Sequence, residues 1–165
     1  LLAILFYIAF AFRKLSFPAK SWQYGLVSLI ALFHDALIPI GVFSVLGRFF
    51  DIQITIPVVV ALLTVLGYSI NNTVVVFDRI RENLLKRTGS EYNDTVNISL
   101  NQTFSRSVNT SLTTLFVLVA IFFFGGETLK YFALMLIMGI VCGTYSSLFL
   151  ASPLLTTWLK IKKKI

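Results

Sequence analysis

The chain has 165 residues, of which 57% are hydrophobic and only 13% charged, with a mean hydropathy of +0.87 and a net charge of +7. Soluble domains carry about twice that charged fraction, so the composition excludes a water-soluble core and predicts an all-α polytopic membrane protein whose packing is completed by lipid. The pI near 9.8 raises nucleic acid as a partner, but the basic residues flank apolar runs instead of forming one patch, which is membrane-topology patterning and argues against nucleic acid.

Residues 1–12 form the first apolar run, which ends at Arg13 and Lys14. It is shorter than the roughly 20 residues a spanning helix needs, and it has neither a basic leader nor a cleavage site. We read it as the truncated second half of a span, with an earlier helix and an extracytoplasmic domain preceding it in the natural protein. Residues 22–46 are the second run, long enough to cross with some tilt. His34, Asp35 and Pro39 lie in its middle. A proline crowds the carbonyl four residues back, here that of Asp35, so the acid sits at a weakened turn. Two readings stand for Asp35: a proton carrier, as intramembrane acids often are, or an acid bonded to a neighbouring helix. His34 points about 100° away around the helix and is assigned a structural or interhelical role. A short loop at 47–54 follows, with Arg48 and Asp51.

The third run covers residues 55–77, with Thr55 as N-cap and Pro57 in the first turn. Ser69, Asn71 and Asn72 occupy positions where a membrane helix normally carries leucine. From chemistry alone the amides are interhelical adhesion, since they hydrogen-bond but do not change charge. Asp78, Arg79, Arg81 and Glu82 continue the helix as a solvated, ion-paired exit, and Gly89 is the expected stop. Asn93 or Asp94 then caps an amphipathic helix over about 92–107, with Tyr92, Val96, Leu100, Phe104 and Val108 on one face, predicted to lie at the cytoplasmic membrane surface. Residues 109–124 make the fourth run, hydroxyl-rich at its start. Arg106, Thr110 and Thr114 share one face. Arg106 either snorkels to headgroups, pairs with an acid, or faces the polar insert. Gly125 and Gly126 form a turn, and residues 129–159 make the last run. On it Gly139, Gly143, Ser147 and Ala151 form a small-residue stripe for close helix approach. Arg13, Lys14, Lys20, Arg79, Arg81, Lys86, Arg87, Arg106 and the tail lysines fall on one side and only Arg48 and Lys130 on the other, which predicts a cytoplasmic C-terminus.

One histidine and one cysteine, Cys142, make no metal set. With no nucleophile–base pattern and no glycine-rich phosphate loop, no enzyme activity and no cofactor is expected.

GYSINNTVVVFDRIREN at 67–83 closely resembles the motif of the SecD/SecF protein-export family, on its SecF side. ALFHDALIPIGVFS at 31–44 resembles the family's HD helix. SLNQTFSRSVNTSLTTL at 99–115 and GIVCGTYSS at 139–147 resemble its later blocks, in order and over nearly the whole chain. The resemblance implies an RND-type transmembrane bundle, here its second to sixth helices, in a bacterial or archaeal cytoplasmic membrane. It implies an auxiliary subunit of the Sec machinery that works with SecD and the SecY channel complex on unfolded preproteins. The coupling ion would be a proton, or sodium in some members. It also carries Gly67, Tyr68, Asn71, Asp78, Arg79, Arg81 and Glu82 over as motif residues. Where the family motif usually reads I-N-D, this chain reads Ile70, Asn71, Asn72. The family aspartate there is thought to exchange the coupling proton opposite the arginine matching Arg106, and an amide does not titrate. Coupling then uses another acid (Asp35, or one on SecD), or the subunit is a scaffold, or Asn72 replaces an aspartate in a trapped form. A third reading is an RND exporter of lipids or small molecules. The coupling reading expects a polar interior line of Asn72, Arg106, Thr110 and Asp35.

Overall fold

The computed structural model describes residues 21–86, 89 and 92–163. The first run, at 1–12, lies outside them. The described chain is α-helical: α1 is Ser21–Phe50, α2 is Ile56–Leu85, α3 is Tyr92–Phe124 and α4 is Gly126–Ser146. A π-helical turn, Ser147–Ala151, joins α4 to α5, Ser152–Lys163. Four stretches are long and apolar enough to cross a membrane: Trp22–Phe50, Ile56–Leu85, Tyr92–Phe124 and Gly126–Trp158. Every expected span inside the described residues is therefore present, and each is longer than the sequence pattern suggested. A helix of 30 residues is about 45 Å long at 1.5 Å per residue, against a hydrocarbon core of about 30 Å. The charged end of α2 thus projects past the apolar slab.

Local chemistry sets the boundaries. Helix α1 runs unbroken through Pro39. It ends before Asp51, whose φ of 52° is the left-handed conformation found past helix ends. Thr55 is the N-cap of α2 in an extended conformation, with proline in the first turn as expected but no side-chain capping bond. The helix stops at Leu85 rather than Gly89, with Lys86 N–H bonded back to Glu82 O at 3.0 Å. Gly126 takes φ 75°, so the glycine pair does make the turn between α3 and α4.

One expectation fails. The surface helix at 92–107 and the span at 109–124 are a single 33-residue helix with no break between them. No glycine or proline interrupts residues 92–124, so nothing forces a bend. The apolar face of Tyr92, Val96 and Leu100 packs with Ile80, Leu84 and Leu155 rather than facing the bilayer surface. Asn93 and Asp94 consequently lie in the first turn instead of capping it.

Two apolar clusters hold the bundle. One gathers Tyr24, Val27, Ala31, Val76, Phe77, Ile80, Val96, Leu148 and Leu155. The other gathers Phe43, Val58, Ala61, Val65, Leu118, Met135, Leu136 and Ile140. On each helix the residues between the two sets are small or polar: Asp35 on α1, Ser69 and Asn72 on α2, Ser107 and Ser111 on α3, Gly143 and Ser146 on α4. A polar layer therefore crosses the bundle between two apolar plugs.

Candidate functional site

Asp35 is completely buried in that layer. Its Oδ2 accepts hydrogen bonds from Ser69 Oγ on α2 and, at 2.6 Å, from Ser146 Oγ on α4. His34 Nδ1 lies 2.9 Å from Oδ1. One carboxylate thus takes two bonds that tie α1 to α2 and α4, and a third contact from its neighbour on α1. An isolated carboxylate in low dielectric is expensive, and hydrogen bonds of this kind are what make its burial tolerable.

The small-residue stripe on α4 makes the site narrow enough to close. A Cβ on Gly143 would stand 3.2 Å from Ser69 Cβ and 3.5 Å from Asp35 Oδ2. One turn earlier, a Cβ on Gly139 would overlap the side chain of Val65. Ser147 is fully buried and donates to Thr144 O at 3.0 Å. The stripe packs α4 onto α2 as expected, and its last two members, Ser147 and Ala151, fall in the π turn. A second polar string runs beside the carboxylate: Tyr68 Oη and Ser111 Oγ are 3.1 Å apart, and Ser111 Oγ and Thr144 Oγ1 are 2.6 Å apart. It joins α2, α3 and α4.

The expected interior line is only partly assembled. Asn72 is buried, and its Nδ2 has no hydrogen-bond partner among the described residues. Arg106 and Thr110 lie on an exposed face of α3, where Thr110 Oγ1 bonds Arg106 O at 2.8 Å. No hydrogen bond or ion pair among the described residues joins Arg106 to Asn72, Asp35 or any acid. The acids near it in the sequence pattern are already engaged. Asp78 pairs with Arg81 at 3.5 Å, and Glu82 with Arg79 and Lys86 at 2.6 Å each. The cation thus turns out of the helix packing, on a face that the described residues do not cover.

Asn71 and Gly67 are likewise exposed on α2. The charged end of the motif is structural within this chain. Arg79 Nε donates to Gln102 Oε1 at 2.7 Å, and Asn83 Nδ2 donates to Ser99 Oγ and Gln102 Oε1 at 2.8 Å each. These bonds clamp α2 to the first half of α3. Among the described residues no three of His, Cys, Asp and Glu converge. Cys142 is a free, half-buried thiol.

His34 corrects a sequence expectation. The 100° separation left it apart from Asp35, yet the two side chains meet, because neighbouring helical side chains long enough to lean along the surface cross that gap. Ser146 was not singled out at all. Its signal was the GTYSS block, three residues past a stripe glycine.

The arrangement has known counterparts. The family model described as "Protein export membrane protein SecD/SecF, C-terminal" matches residues 1–161. The chain belongs to the SecD/SecF protein-export family. Among its SecF relatives, protein translocase subunit SecF of Thermobaculum terrenum is 55% identical over 157 residues, covering 95% of this chain and 49% of the relative. Protein translocase subunit SecF of Synechocystis is 44% identical, covering 97% of this chain and 48% of the relative. A solved SecDF in a super-membrane-facing form superposes with TM-score 0.85 at 45% identity, over 98% of this chain and 20% of that one. SecDF from Thermus thermophilus, described as a translocon-associated membrane protein, gives TM-score 0.83 at 44% identity, covering 94% of this chain and 20% of that one. The chain spans about half the length of the curated SecF relatives it matches. The expected all-α, RND-type membrane bundle of a SecF-like subunit is thus the fold observed.

Proposed function

We propose that this chain is the membrane bundle of an auxiliary Sec subunit that couples an ion gradient to preprotein export, with Asp35 as its coupling acid. The subunit works beside a SecD partner, and SecDF chains that carry both names in one polypeptide support that pairing. Association with the SecY channel complex draws on the words used for the Thermus thermophilus structure. Its substrates are unfolded preproteins, it performs no covalent chemistry, and its C-terminus is cytoplasmic.

The observation that carries the coupling role is the three-helix grip on a completely buried carboxylate. A hydrogen bond to a charged group contributes about 1.5–3 kcal/mol and one between neutral groups about 0.5–1.5. Protonating Asp35 therefore weakens each interhelical tie by about 1 kcal/mol, and the two ties, to Ser69 and Ser146, by roughly 2 kcal/mol. One charge crossing the membrane exchanges about 2.3 kcal/mol per 100 mV. The two magnitudes match, so proton binding at Asp35 is strong enough to shift how α1 sits on α2 and α4.

A scaffold reading has one observation in its favour: Asn72, at the motif position where the family usually has aspartate, does not titrate. The names of the relatives leave the exporter of lipids or small molecules without support. The test is proton-driven export in proteoliposomes holding the full-length subunit, SecD and the channel. The coupling reading expects stimulation by an imposed gradient, loss of it in Asp35→Asn, and its retention in Asn72→Asp. Equal stimulation of native protein and Asp35→Asn removes Asp35 from the mechanism. A response only in Asn72→Asp favours the scaffold.

A further inference from the structure

We propose that His34 is the proton port of Asp35, passing protons sideways between the flank of α1 and the buried carboxylate. This rests on the coupling role of Asp35 given above and names the route that role requires.

The apolar clusters bound the carboxylate along the bundle axis. Ala31 on one side and Phe43 on the other are buried members of the two clusters, and Val76 and Val65 bracket Ser69 in the same way. Sideways, the position differs. The Asp35 side chain is 0% exposed, while that of His34, bonded to it, is 30% exposed. The imidazole thus connects the interior to the outer flank through a 2.9 Å contact.

The chemistry fits a relay. An ionised carboxylate only accepts hydrogen bonds, so His34 Nδ1 carries the proton that faces Oδ1, and Nε2 is free to accept one. A proton binds Nε2, the Nδ1 proton moves to Asp35 Oδ1, and the neutral ring is left with its proton on Nε2. In the reverse sequence Asp35 Oδ1 returns its proton to Nδ1 and Nε2 gives its own to the flank, which releases one proton and restores the starting tautomer. Ser69 and Ser146 stay on Oδ2 throughout, so they orient the acid without blocking the transfer.

The groups around the dyad do not compete. On α4 the titratable side chain one residue before Gly143 is Cys142, a free and half-buried thiol. Tyr68 on α2 is committed to Ser111. The nearest charged residue further along α2 is Asp78, roughly 14 Å beyond Ser69 along the axis. On α4 it is Lys130, roughly 24 Å before Ser146, and on α1 it is Arg48, roughly 20 Å past Asp35. The π turn contributes Ser147, Leu148 and Ala151 as its buried members. Exposed Phe33 and Leu37 flank the ring. A polar ring edge among apolar side chains at that depth is costly without a task or a partner.

The experiment measures proton uptake by full-length subunit with SecD in vesicles carrying an entrapped pH dye. His34→Gln keeps a hydrogen-bond donor but does not titrate. It is expected to slow uptake by about 100-fold, the low end of what a positioned proton-transferring side chain supplies, and to flatten the pH dependence of uptake. His34→Ala is expected to be equally slow and to recover when imidazole is added, but not with pyrrole, which lacks a basic nitrogen. Native-like uptake and pH profile in His34→Gln overturns the port while leaving Asp35 intact. Slow uptake in His34→Ala that imidazole does not restore assigns His34 a purely structural role and also overturns it. Native-like uptake in Asp35→Asn overturns the coupling role itself, and the port with it.

Discussion

Gly139→Ala tests the helix approach on which the buried site depends. The added Cβ falls inside the side chain of Val65, which is itself completely buried. Valine in a helix holds essentially one rotamer, so Val65 does not swing aside. The strain must part α4 from α2, at a cost of about 1–3 kcal/mol for overpacking. Alanine also improves helix propensity over glycine by about 1 kcal/mol, which masks part of the loss. Gly67→Ala supplies the control, because a Cβ there meets nothing within 4 Å among the described residues and carries the propensity gain alone. The difference between the two variants is therefore the packing term, about 1–3 kcal/mol, or roughly 5- to 150-fold in the unfolding equilibrium at 1.4 kcal/mol per factor of ten. Reversible unfolding in mixed micelles measures it. Val65→Ala removes the two methyls nearest the new Cβ but leaves Val65 Cβ 2.8 Å from it, so the double variant should regain part of the loss, with a coupling of about 0.5–3 kcal/mol. Equal stability of Gly139→Ala and Gly67→Ala would refute the close approach. A double variant that is simply additive would show that Val65 is not what the new methyl meets.

Further outcomes follow from the same contacts. Ser146→Ala removes one donor from the buried carboxylate and should destabilise the bundle by about 1.5–3 kcal/mol, more than Tyr68→Phe, whose lost bond to Ser111 is between neutral groups and contributes about 0.5–1.5; unfolding in micelles ranks the two, and the reverse order contradicts an ionised Asp35. Asn83→Ala breaks two bonds that hold α2 to α3 and should speed hydrogen exchange at the start of α3, around Thr95–Ser99, while exchange at Leu118 stays unchanged. Asn72→Ala deletes an amide nitrogen that lacks a partner among the described residues, so it should change stability by less than about 1 kcal/mol. A larger loss would mean that the amide is held by a group outside the described residues.

Much of the fold was legible because hydrocarbon imposes a simple rule: about 20 apolar residues per span. Runs beginning at 22, 55 and 129 located α1, α2 and α4 to within a few residues at their starts. The far ends were harder. Asp78 to Leu85 is charged yet helical, because Arg79, Asn83 and Glu82 find partners on α3 or on their own turn. The same interaction concealed the continuity of α3. Its asparagines and glutamine suggested a water-facing surface helix, whereas Gln102 and Ser99 are bonded to α2. Asp35 stood out by itself as an acid in an apolar run. Of its partners, Ser69 stood out only as part of the polar insert and Ser146 not at all, since serines are individually common in membrane helices, and only the approach allowed by Gly143 brings both onto one oxygen. The coupling reading expected Arg106 inward on the face that its spacing shares with Thr110 and Thr114, beside the open alternatives of headgroup snorkelling and an acid partner. That spacing fixes a shared face, not the direction in which the face points.

The most direct measurement of the central claim is infrared difference spectroscopy on the full-length subunit with SecD, recorded across a pH step. The carboxylic-acid carbonyl band of Asp35 is identified by its isotope shift with labelled aspartate and by its loss in Asp35→Asn. A buried acid that takes up the coupling proton gains this band as pH falls, and the gain should track the rate of proton-driven export. A carboxylate that shows no such band over the range in which export responds would contradict the assignment of Asp35 as the coupling acid.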